Sequence, residues 1–243
     1  ESGGATGWAA TDWMEEYVLR YGGEAEYTAW WKGKLAWSSP TVQKAAKKFA
    51  EVALTPGNVN GGGKAIAATG FGATANLFAT DKNKCFMMRQ GSFITDFFPD
   101  AVKAEYKANN FTRVGVFKLP APAGTTDAVL GGGDLAAAFD ANPATQKVLN
   151  FILSDKLGTG AMLATYPSYL SAHKTFPSAG YKNPITKNIA GILSTAKLFG
   201  FDGSDLAPAV VNATEWTELT NWIAGKKTQK QAFDAIDASW KKA

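Results

Sequence analysis

Two residue types that build most protein chemistry are nearly missing from this chain. Among 243 residues there is one cysteine, Cys85, and one histidine, His173. The first scarcity excludes a disulfide within the chain and a cysteine-based zinc site. The second leaves His173 as the sole imidazole for any Ser-His-Asp or Cys-His mechanism, and no serine stands in a GxSxG context that would use it. No apolar run reaches the roughly 18–20 residues of a membrane span. The opening residues "ESGGATGW" have neither the basic nor the apolar region of a leader and no initiator Met, so a processed or truncated chain is expected. The formal charge is only +4, and its 25 basic residues are scattered. No basic motif interleaved with aromatics marks a nucleic-acid partner.

What the chain does have is glycine and aromatic rings. Hydrophobic residues make up 46% against 19% charged, the balance of a globular protein rather than a disordered one. "LGGGDLAAAF", residues 130–139, sets three glycines before an acid. A P-loop would need GxxxxGK[ST], but Asp134 follows the glycines here and would repel a phosphate. A dinucleotide fingerprint would need GxGxxG, and position 136 is Ala, with no early βαβ unit before it. No cofactor or metal site is therefore expected. Two readings stay open: a tight turn between packed elements, or a bare backbone approaching a ligand, with Gly132, Gly133 and Asp134 at the contact. The 8 Trp, 7 Tyr and 15 Phe fall partly in clusters, at 30–31, at 97–98, and at Trp216 with Trp222. Core packing accounts for many of them. Sugar binding suits them too, because pyranose faces stack on flat rings.

The punctuation predicts several elements. A helix is expected from Thr11 as cap to a stop at Gly22, and another from Ser39 with Pro40 at its first position and Val42, Ala45, Ala46, Phe49 and Val52 on one face. "NVNGGGKAIAATGFG" reads as a flexible loop leading into short structure, "KCFMMRQGSFITDFF" as a buried strand followed by a turn, and "TRVGVFKLPAP" as a second strand closed by its prolines. Asn142 and Pro143 open a helix whose Val148, Leu149 and Ile152 should face inward. After a loop-rich stretch come three helical patterns. They carry Ile189, Ile192, Leu193 and Leu198 in the first. The second has Thr214 as cap with Trp216, Leu219, Trp222 and Ile223, stopped at Gly225. The third has a Thr228–Gln231 capping box ahead of Phe233, Ile236 and Trp240. The fold class is α/β, without internal repeats.

Seven segments, in order, carry a family resemblance: "ESGGATGWAATDWMEEYVLRYGG", "AWSSPTVQKAAKKFAEV", "RQGSFITDFFPD", "VGVFKLPAP", "GGGDLAAAF", "FDGSDLAPAVV" and "EWTELTNWIAGKKTQKQAFD". They resemble family 1 of the extracellular solute-binding proteins, the carbohydrate receptors of ABC importers, and most of all its alpha-glucoside branch, distantly similar to maltose-binding protein. The resemblance implies a periplasmic-binding-protein-like fold of two α/β lobes with a ligand cleft between them, and a chain lacking its N-terminal portion. Residues 1–125 and 173–243 would build the C-terminal lobe, and 126–172 would cross to the N-terminal lobe, with "GGGDL" opening a strand there. It implies a carbohydrate ligand and permease subunits as partners. The location would be periplasmic or on the outer face of the membrane, with a lipid anchor on an upstream Cys in some relatives. Trp8, Phe93 and Trp216 would be aromatic walls, Trp216 at a helix start with Glu215 beside it, and core packing is the alternative for each. "LSAHK" is similar to a family loop but has Ala172 in place of Pro, which weakens a role for Ser171 and His173.

The competing class is a glycoside hydrolase with a Trp-rich cleft, recruiting Asp134, Glu215 or Asp12 as its carboxylate pair. Cys85 is expected to be buried and unreactive, or, as the resemblance implies, to have lost a partner just before the "ESGG" segment.

Overall fold

The structure, a computed structural model, describes residues 7–78, 84–108, 110, 113–159 and 161–243. Its centre is one long helix, α1 (Trp8–Trp31). Met14, Tyr17, Val18 and Leu19 are all buried, so apolar surface runs nearly right round its middle, as a helix enclosed by its neighbours requires. The expected stop at Gly22 is one residue early. Gly23 takes the left-handed conformation (φ +64°) and breaks the helix, and the chain then resumes helix to Trp31. Thr11 is not a cap: it lies inside the helix and donates to the Trp8 carbonyl.

Three elements enclose α1: the helix α2 (Pro40–Ala53), the helix α9 (Ala209–Ile223) and a two-stranded parallel sheet. The sheet pairs β1 (Ala128–Gly131) with β2 (Leu198–Phe201), Ala128 opposite Leu198 and Gly131 opposite Phe201. A Cβ on Gly200 would lie 2.6 Å from Leu19, so the sheet can rest this closely on α1 only with glycine there. The helix α10 (Gln229–Ser239) closes the core behind the Thr228–Gln231 capping box. Rings dominate the interior: Trp30 meets Trp37 at 5.0 Å, Trp37 meets Phe233 at 4.8 Å, and Trp222 meets both Phe49 and Phe233 at 5.5 Å. No described helix is long and apolar enough to cross a membrane.

A second, smaller core gathers Ala75, Ile94, Phe98, Val102, Tyr106 and Ile185. It joins α5 (Asp100–Lys107) to α8 (Pro184–Thr195), whose cap Asn183 also donates to the Tyr106 carbonyl at 2.9 Å. Between the two cores lie short helices. As expected, the loop from Asn58 leads into short structure, α3 (Gly62–Ala68) and α4 (Phe71–Thr74).

Several expectations need correction. Residues 84–98 and 113–122 form no strand. The first stretch runs irregularly into a 3₁₀ turn, Ser92–Phe97, and the second stays extended without a ladder partner among the described residues. The first of the three helical patterns ends at Thr195, and Leu198 belongs to β2. Thr214 does not cap α9, which begins five residues earlier behind Pro208. The glycines of "LGGGDL" follow β1 instead of opening a strand. The helix α6 (Pro143–Ile152) has its predicted Asn142 cap but no buried residue: Val148 is 58% exposed, and Leu149 and Ile152 are half-buried. Cys85 is half-buried rather than buried.

Candidate functional site

The first turn of α1 is placed by a glycine. Gly7 caps the helix with φ +42°, and a Cβ there would fall 2.3 Å from the Trp216 Cα, so α1 begins against the backbone of α9. Trp8 therefore emerges at the junction of the two helices. Its ring packs on Phe71 at 5.2 Å and on Phe93 at 6.0 Å. Phe71 in turn meets Phe93 at 6.0 Å and Phe97 at 5.1 Å. Phe93 and Phe97 keep 40% and 44% of their surfaces exposed, so one side of this cluster is open to solvent. Phe71 meets Trp8, Phe93 and Phe97 edge to face, the arrangement their quadrupoles favour, while Trp8 and Phe93 are tilted at 58°.

Carboxylates adjoin the cluster. Trp8, Asp12, Glu15 and Glu16 lie on successive turns of α1, and the loop after β2 supplies Asp202 and Asp205. The Glu15 carboxylate accepts from the backbone N–H groups of Gly203 at 2.9 Å and Ser204 at 3.1 Å, and the Tyr27 hydroxyl lies 3.2 Å away. Burial, then the charges of Asp202 and Asp12, push its pKa well above the carboxylate range. Burial likewise raises Asp12 to about 6, although Arg89 beside it pulls the other way. Glu215 is buried on α9 and receives no hydrogen bond among the described residues. Burial and the Asp202 charge lift its pKa to about 8. One helical turn apart on α9, the Asn212 Oδ1 and the Trp216 Nε1 are also buried without partners.

Of the residues singled out from sequence, the fold packs Trp8 on Phe93 and sets the start of α1 against the backbone of Trp216, with Glu215 next to it on α9. Trp216 sits in the third turn of α9 and not at a helix start, and is half-buried. Gly132 leaves the C-terminal end of β1 beside Asp202, where an added Cβ would lie 3.7 Å from the Asp202 Cβ. Gly133 and Asp134 are exposed. Thus the junction lies near the carboxyl ends of two parallel strands, the place where α/β folds present ligand sites. Sequence reasoning missed Phe71 and Phe97, whose short helix and 3₁₀ turn have no periodic signal. It also missed Glu15 and Asp202, which become neighbours only through the β2–α1 packing. Among the described residues no group of His, Cys, Asp and Glu is set to hold a metal ion.

The chain is 31% identical over 242 residues to the osmoprotective compounds-binding protein GgtB of Synechocystis sp. (strain ATCC 27184 / PCC 6803 / Kazusa), which covers 99% of this chain and 55% of that protein. It is 32% identical over 240 residues to the alpha-glucosides-binding periplasmic protein AglE of Rhizobium meliloti (strain 1021), covering 98% of this chain and 51% of that protein. No family model and no solved structure matches. Likeness to two binding proteins over its whole length places the chain among the solute-binding proteins. It belongs to the family its ordered segments resemble, the extracellular solute-binding proteins of family 1. The chain spans about half the length of these curated relatives.

Proposed function

We propose that this chain is the larger part of one lobe of an exported receptor that binds an uncharged sugar or alpha-glucoside and hands it to the permease of an ABC importer. The observation that carries the reading is the packing of the Trp8 ring on Phe93 at 6.0 Å where α1 begins against the Trp216 backbone, with Asp12 one turn along α1 and Glu215 next to Trp216 on α9. An open ring face covers the C–H side of a pyranose, and carboxyl oxygens accept from its hydroxyls. One relative, an alpha-glucosides-binding protein, is named for such a ligand. Gly132, Gly133 and Asp134 would complete the site from the exit of β1, with backbone groups and one carboxylate.

Exposure supports the lobe assignment. Residues 132–144 are exposed throughout, Leu135 is 82% exposed, and Phe139 is fully so. Val148, Phe151 and Leu153 add to one apolar surface on α6 and just beyond it. A patch of that kind on a soluble chain marks an interface. Relatives about twice as long provide a partner: the other lobe, which residues 126–172 would enter, while 1–125 and 173–243 form the lobe seen here. Periplasmic release or a lipid anchor on an upstream Cys are the two forms such a receptor takes. As a receptor it has no catalytic residue and needs no cofactor.

Titration calorimetry with trehalose, sucrose and maltose tests both halves of the reading. The full-length protein should bind one of them and return it intact. The 243-residue chain alone should bind much more weakly, because several hydrogen bonds at roughly 1 kcal/mol each reside on the other lobe. Release of reducing ends would favour a hydrolase instead. Equal affinity of chain and full-length protein would refute the lobe assignment.

A further inference from the structure

Phe93 faces Trp8 across a seam between two cores. Trp8 rides on α1, part of the main core, whereas the 3₁₀ turn that carries Phe93 buries Ile94 in the smaller core. No backbone hydrogen bond joins residues 84–98 to α1 among the described residues. The ring-to-ring geometry is thus left to side chains. One of them spans the seam with directional bonds: Arg89, four residues before Phe93. Its Nη1 lies 3.3 Å from the Asp12 Oδ2 and its Nη2 3.4 Å from the Glu16 Oε2, and its guanidinium rests 5.5 Å over the Trp13 ring. Asp12 and Glu16 stand one helical turn apart, so a forked cation reaching both fixes its own position along α1 and around it. Glu16 is itself held by Arg20, which donates to the Ala128 carbonyl at the start of β1 at 2.9 Å. The anchor is therefore rigid. Between Arg89 and the ring stands Gly91, against which Phe93 folds back so closely that an added Cβ would lie 2.7 Å from Cε1.

We propose that Arg89 is a positioning residue for the binding site: it clamps the Phe93 turn onto the first turns of α1 and so sets the aromatic platform in register with Trp8. The proposal rests on the reading of Trp8 and Phe93 as the sugar platform. Burial works against the Arg89 charge, and Asp12 and Glu16 more than offset it, so the clamp is charged at all physiological pH. Lysine cannot replace the fork, because a point charge does not bridge two carboxylates in fixed geometry.

The test uses Arg89→Met, Arg89→Lys and, from the other side of the contact, Asp12→Asn in the full-length protein. Hydrogen exchange of the ligand-free protein is the first readout. Arg89→Met and Asp12→Asn should each speed exchange across residues 92–98 by about tenfold, the size expected for losing a charge-assisted bond, and leave α2 and α10 unchanged. Affinity for the best of trehalose, sucrose and maltose should fall by a similar factor, with Arg89→Lys intermediate. Unchanged exchange in 92–98, or equal loss of protection throughout, overturns the clamp. Faster exchange with unaltered sugar affinity overturns its role in binding. A wild-type protein that takes none of the three sugars sinks the receptor reading, and the exchange data still decide whether Arg89 clamps the turn.

Discussion

The core around α1 and the stretch from Gly132 to Leu153 come from the same chain and similar residues, yet they differ in every structural respect. Around α1 large side chains vanish from solvent: Met14, Val18, Leu219 and Ile236 have no exposed surface. In the other stretch comparable residues lie open. Local sequence treats the two alike. Both contain a helix with an Asn, Ser or Thr cap, proline or good formers in the first turn, and an apolar stripe. What differs is whether the stripe has something to lie against. Helical propensity and capping fix that a helix forms, and only a partner surface fixes that it packs.

Truncating one large residue in each region gives the widest expected contrast. Trp222→Ala removes a ring wedged between Phe49 and Phe233 and should cost about 3–5 kcal/mol in urea unfolding of the chain. Phe151→Ala, on a ring 52% exposed, should shift the same midpoint by less than about 0.5 kcal/mol. In the full-length protein Phe151→Ala should become costly, because the proposed second lobe would cover that ring. A small effect there too would mean that the apolar face of α6 is not an internal interface.

What the sequence discloses follows the same division. Pro40 at a first helical position, Gly225 in the left-handed conformation after α9 and the Thr228–Gln231 box are local rules, and each is found where the letters put it. Gly22 and Gly23 differ only in which of them lies where the backbone must turn, and adjacent glycines carry no signal for that. Trp216 was placed at a helix start because Thr214 is a good cap residue. Yet Pro208 opens the helix earlier, and the Thr214 hydroxyl bonds back to the Val210 carbonyl within it. The expected strands at 84–98 and 113–122 have strand-like composition, but a strand exists only with a neighbour, and none is paired with them here. The candidate site was legible as a list of rings and acids. Its assembly was not, since Gly7 against Trp216 and Glu15 against the β2 loop are contacts between residues roughly 200 apart in the chain.

The two regions should also answer pH with opposite signs. Glu215 has its pKa raised to about 8, so the folded protein holds a proton that the unfolded chain releases near the ordinary glutamate value of 4.5. Stability from this group is complete at acid pH and is lost as pH rises towards 8. Glu15 and Asp12 act in the same direction, Asp12 up to about 6. In the exposed stretch Asp140 is lowered by its bonds to Asn142 and Thr145, so its contribution is present at neutral pH and fades as the solution turns acid. Glu215→Gln should flatten the fall in stability between pH 5 and 8. Near pH 8 the variant should exceed the parent by an amount on the order of 2–3 kcal/mol, with little difference near pH 5. Denaturation midpoints measured across that range check it. A variant no more stable than the parent at pH 8 would mean that Glu215 has a partner for its charge.

The finest comparison sets two identical caps against each other. Asn142 opens α6 and Asn183 opens α8, each followed by proline, and each side chain accepts from two backbone N–H groups of its helix. Their surroundings differ. Asn183 is 2% exposed and its Nδ2 also donates to the Tyr106 carbonyl, whereas Asn142 is exposed and bonds further only to Asp140. Alanine at 183 strands the Ile185 and Thr186 N–H groups away from water and removes one of the bonds to the Tyr106 carbonyl, a penalty of roughly 2–3 kcal/mol. Alanine at 142 leaves its donors to solvent and should cost about 1 kcal/mol or less, as local fraying of α6. Hydrogen exchange separates the two outcomes: Asn183→Ala should loosen α5 and α8 together, and Asn142→Ala only the first turn of α6. Equal costs would show that α6 is held as firmly as α8, which an unburied helix can achieve only through a partner already in place.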